Sequence, residues 1–84
     1  MAKTKLLKVR TEFFGKYEDS GLRHFTIVSK EEPTRDDLYD LGIYSHHCHC
    51  EHDCCGHLQY DAPRVERRNK RNEWYVCQHW YRNV

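Results

Sequence analysis

No run of apolar residues in this chain approaches the roughly 18 that a membrane-crossing helix requires, so a helical span is not expected. The opening residues MAKTKLLKVR also lack the uninterrupted apolar stretch of about 7 residues found in a secretory signal, because lysines break it. The expectation is a cytoplasmic protein. Catalytic signatures are missing too: there is no nucleophile elbow, no glycine-rich phosphate loop and no legible base with its orienting partner. His49-x-Glu51 has the first spacing of the zinc deaminases, but the P-C-x-x-C half that would complete it is absent. Internal repeats are absent, and the formal net charge is only +1.

What the chain does have is a dense cluster of metal-seeking side chains. Between His46 and His57 lie four of its five cysteines and five of its seven histidines, HHCHCEHDCCGH. Thiolate and imidazole together suit borderline-soft divalent metals, and zinc takes them tetrahedrally. A chain of 84 residues is expected to form one domain over 1–84. Such a domain buries only about 60 to 65 per cent of its unfolded surface and is often stapled. In a reducing compartment a metal is the favoured staple, and an odd number of cysteines would not be used up by disulfides alone.

The near-neutral total hides a strong asymmetry. Residues 1–30 carry seven Lys/Arg against three Asp/Glu, residues 31–57 one against seven, and residues 58–84 six against three. An acidic centre is flanked by two basic ends.

Alternation predicts a strand over Lys3 to Phe14, with Leu7, Val9, Thr11 and Phe13 on one face and Lys8, Arg10 and Glu12 on the other. Two glycines in 15–21 signal a turn, and Leu22 to Ser29 reads as a second strand with Phe25 and Ile27 opposed to His24, Thr26 and Val28. Residues 33–42 predict a short helix capped by Thr34 with Asp37 in the reciprocal position, closed by Gly42, and burying Leu38 and Leu41. Leu58 to Tyr60 and Arg64 to Arg67 predict a strand interrupted at Pro63, hence at an edge or a bulge. Residues 68–72 read as a polar turn before the strongest strand candidate, Glu73 to Tyr81. Its alternation places Trp74, Val76 and Trp80 on one face and Tyr75, Cys77, His79 and Tyr81 on the other. The expected fold is α+β: an antiparallel sheet of about four strands, one short helix and a Cys/His-rich loop.

The candidate metal ligands are Cys48, Cys50, Cys54, Cys55, His57, Cys77 and His79, with zinc as the expected ion. One arrangement joins the loop to the sheet through Cys48, Cys50, Cys77 and His79. A local one uses Cys50, Cys54 or Cys55, and His57. The spacings C-x-C, C-x3-C and C-x-H are not those of ribbons or fingers. Against both stands the plain alternative that cysteine is a small buried hydrophobe.

Arg64, Arg67, Arg68, Lys70 and Arg71 crowd the segment before the aromatic strand. Arginine beside tyrosine and tryptophan suits recognition of a protein partner. Cations beside stackable rings also suit single-stranded nucleic acid.

At DLYDLGIY (37–44) followed by CHCEHDCCG (48–56), the chain resembles small Cys/His-rich proteins encoded by tailed bacteriophages. The resemblance implies a cytoplasmic product of an infected bacterium, serving host takeover, defence evasion or nucleic-acid metabolism, and carries no catalytic residue onto this sequence. The expected function is therefore a non-enzymatic binding module, most simply one for a host protein. The alternatives are a nucleic-acid binder working through 64–71, or a small metal-dependent enzyme with an open coordination position.

Overall fold

A computed structural model describes residues 4–16, 18–43, 45 and 58–82. Along the chain run β1 (Lys5–Phe14), β2 (Ser20–Val28), α1 (Arg35–Asp40), β3 (Leu58–Tyr60), β4 (Arg64–Lys70) and β5 (Glu73–Arg82). All pairings are antiparallel, in the order β1-β2-β5-β3, with β4 also pairing with β5. β2 accompanies β5 along its length, so β3 and β4 share its other side. There are five strands rather than about four, because the edge strand is broken at Ala62–Pro63, and the small helix makes the fold mostly β. Register drops by one residue across that break and again at Glu66 and Asn69. A proline that cannot donate to a ladder is tolerated at such a position.

Two corrections concern register and strand extent. In β1 a bulge between Leu6 and Lys8 shifts the pairing from Leu6↔Ile27 to Lys8↔Thr26. Leu6 therefore packs against the core, whereas Leu7 is exposed. The run 68–72 is not all turn, since β4 continues to Lys70 and only Arg71 and Asn72 reverse the chain, Asn72 at φ 65°.

The helix is closed at both ends by its own sequence. Thr34 accepts from the Asp37 amide at 3.2 Å, and the Asp37 carboxylate accepts from the Thr34 amide at 2.9 Å. Gly42, at φ 81°, allows the Gly42 and Ile43 amides to reach the carbonyls of Tyr39 and Leu38 at 2.9 and 2.8 Å. That terminator folds Ile43 back beside Leu38. Both are buried, and with Phe25, Ile27 and Val76 they form the core, flanked by Leu6, Leu41, Val65 and Trp74. The Trp74 indole donates to the Ser29 carbonyl at 2.9 Å, tying β5 to the exit of β2.

Beyond this apolar half, the same sheet face turns polar. Gln78, fully buried, accepts from Arg23 through its Oε1, while its Nε2 donates to the Asp61 carbonyl at 2.8 Å. The Arg23 guanidinium lies 4.3 Å from the Tyr60 ring centre and 5.1 Å from that of Phe25. A buried amide is tolerated there because its hydrogen bonds are made. No helix of the described residues is long and apolar enough to cross a membrane.

Candidate functional site

The helix and core occupy one side of the sheet, so strand alternation dictates what the other side presents. Read across β1, β2, β5 and the edge strand, that second face is a grid. One row is Lys8, Thr26, Tyr75 and Arg67; the next is Arg10, His24, Cys77 and Arg64. Below them come Glu12, Leu22 and His79, then Phe14, Ser20, Tyr81 and Gln59, the last of them buried. No described helix or strand packs over this face. Each of the two upper rows begins and ends on an exposed cation.

In the middle of the grid the rings are packed against each other and against charge. His24 and Tyr75 lie 5.5 Å apart at an interplanar angle of 31°. The Arg67 guanidinium stands 5.7 Å from the Tyr75 ring. Arg10 pairs with Glu12 at 2.6 Å, and His24 Nε2 is 3.4 Å from the other Glu12 oxygen. Lower on the face, His79 and Tyr81 stack at 5.6 Å, and His79 Nδ1 meets Asp61 Oδ2 at 2.9 Å.

Cys77 is partly buried and unpaired. Burial pushes its thiol up from the ordinary range, and the Glu66 carboxylate, which bonds it, adds to the effect; Arg64 opposes. A neutral thiol is the favoured state in this setting.

The expected site residues separate into three groups. Cys48, Cys50, Cys54, Cys55 and His57 lie outside the described residues. Cys77 and His79 do share one face of β5, as alternation predicts. Among the described residues no group of three or more His, Cys, Asp or Glu stands ready to hold a metal. The basic run is divided by the strand it was expected to precede: Arg64 and Arg67 belong to the open face. Arg68 lies on the core face, its guanidinium 5.4 Å from the Trp74 ring. Lys70 is opposite Glu73, and Arg71 occupies the turn.

Lys8, Arg10, His24 and Thr26 were not singled out from the sequence as site residues. The alternation of the first two strands carried the signal, but only pairing with β5 sets them beside Tyr75. No family model, curated protein or solved structure matches the chain.

Proposed function

We propose that the protein is a non-enzymatic binding module that docks an anionic surface of a macromolecule on the open face of its sheet. The observation that supports this is the pair of rows whose ends are Lys8 and Arg67, and Arg10 and Arg64. Four exposed cations frame partly buried rings on a face that the helix leaves uncovered. Such rings can supply contact area and arginines the polar anchors. The resemblance to phage-encoded Cys/His-rich proteins agrees with a macromolecular partner in the infected bacterial cytoplasm.

Zinc held by the 46–57 segment alone is compatible with this reading, whereas a site that also took Cys77 and His79 would bring the segment onto the open face and compete with docking there. The His79–Asp61 contact supports the second arrangement, because a carboxylate on Nδ1 fixes the ring and directs Nε2 outward as a ligand. The raised Cys77 thiol would have to be ionised by the metal it joined.

The test separates the two faces of one strand. Capture from a bacterial lysate, with and without nuclease, is expected to be lost in an Arg64→Gln/Arg67→Gln variant and kept in an Arg68→Gln/Arg71→Gln variant of equal melting temperature. The reverse pattern would move the interface off the open face.

A further inference from the structure

The open face has a finer structure than a charged surface needs. Between β1, β2 and β5 lies a hollow of about 130 Å³ lined by Lys8, Arg10, His24, Thr26 and Tyr75. That is room for about four waters, the scale of a single phosphate group. Its floor is His24, whose Nδ1 and Nε2 are shielded from solvent and make no hydrogen bond among the described residues. The 3.4 Å approach of Nε2 to Glu12 is an ion-pair distance without hydrogen-bond geometry. Two cations, Lys8 and Arg10, and Thr26 complete the lining beside His24. The wall is the Tyr75 ring, and beyond it stands Arg67.

We infer that this hollow and the Tyr75 ring form a subsite for single-stranded nucleic acid, a backbone phosphate entering the hollow and a base lying against Tyr75. The inference rests on the open-face reading and names the partner class. Strands stand about 4.8 Å apart, so a row from β1 to β4 spans about 14 Å. Across that width Lys8 and Arg10 meet the backbone at one edge, and Arg67 and Arg64 meet it at the other. The ring sits between them, the arrangement of a stacking platform inside an electrostatic groove. An acidic polypeptide would use the cations and leave both the hollow and the ring without a role. The carboxylates of the face do not cancel the cations. Lys8, Arg10, Arg64, Arg67 and Lys70 stand against Glu12, Asp61, Glu66 and Glu73, an excess of one cation, with Glu12 held by Arg10 and Glu73 opposite Lys70.

The experiment is fluorescence anisotropy of the full chain with a labelled single-stranded oligonucleotide of mixed sequence, beside the duplex of that sequence and a labelled polyglutamate. The single strand is expected to bind better than either, with affinity falling as salt rises. Lys8→Gln/Arg10→Gln, two exposed positions, should shallow the salt slope by about 1.4. Tyr75→Leu should weaken binding about ten- to a hundredfold and leave that slope unchanged. Three results would overturn the inference: no binding of the single strand, equal or better binding of polyglutamate, or binding indifferent to both variants. If polyglutamate binds and Arg64→Gln/Arg67→Gln abolishes it, the open-face reading survives the loss of this inference. If the oligonucleotide binds but only Arg68→Gln/Arg71→Gln abolishes it, both readings fail. Melting temperatures of all variants, matched to the parent, guard each comparison.

Discussion

Cys77 is a residue whose neighbours set its proton. It lies on β5 opposite His24 on one side and Arg64 on the other. Burial first, and the Glu66 carboxylate second, hold its thiol neutral to higher pH than in the unfolded chain. Because the folded pKa lies above the unfolded one, the folded chain keeps a proton that the unfolded chain gives up. The resulting stabilisation is present in full below the unfolded value of about 8.5 and is lost as pH rises through the folded one. In protein stripped of metal, urea-unfolding free energies measured upward from neutral pH should therefore decline in the alkaline range. Cys77→Ala should reduce that decline relative to the parent chain. Equal alkaline slopes in the two proteins would mean that the thiol ionises as freely in the fold as outside it. The residue is a poorer nucleophile than a free cysteine for the same reason.

At the scale of elements, close approach of strands decides what composition alone does not. Gly21 lies between Phe13 of β1 and Trp80 of β5. Their rings meet edge to face across it at 5.6 Å and 79°. A Cβ at Gly21 would stand 1.9 Å from the Glu12 carbonyl oxygen and 2.8 Å from Trp80 Cζ2. A backbone oxygen cannot rotate aside as a side chain can, so Gly21→Ala must pull β1 from β2. The expected cost is about 3 kcal/mol, the upper end of overpacking effects, measured as a lowered urea midpoint at unchanged slope. A loss under about 0.5 kcal/mol, the scale of neutral surface changes, would show that β1 slides without penalty. What was legible beforehand follows the same division between local and paired. The α1 caps, Thr34 with Asp37 and the terminator Gly42, are local chemistry and could be read from spacing, whereas the burial of Ile43 just beyond Gly42 was not read. The two faces of β5 could also be read, where long aromatic alternation leaves one register that buries Trp80. The Leu6/Leu7 inversion could not, because the bulge exists only against β2. Nor could the separation of Arg67 from Arg68: a run of polar residues reads as a turn until β5 pairs with it and directs alternate side chains to opposite faces. Cys77 and His79 stood out by type, while the Asp61 contact that orients His79 follows from the edge strand passing beside β5.

For the molecule as a whole, the charge asymmetry of the sequence becomes a geometry. The two basic flanks supply the sheet's outer strands, β1 and the β3/β4 edge, so cations reach the open face from both sides. The acidic centre supplies α1, on the opposite face. The described core is small, a cluster of five buried apolar residues with four partly buried ones around it and Trp80 buried beyond it, and a domain of this size commonly relies on a further constraint. Zinc in the Cys/His segment would supply it, since binding energy at a site formed only on folding is folding energy. Protein purified without chelator should then carry about one zinc per chain by elemental analysis, and a strong chelator should lower its melting temperature. Cys50→Ser should reproduce that loss in either arrangement. Cys77→Ser should do so only if the loop is joined to β5; if it melts like the parent while Cys50→Ser does not, the metal is local to the loop and His79 is released from the role. No metal in the purified chain, with a melting temperature indifferent to chelator, would leave these cysteines as small hydrophobes and the fold dependent on its own core.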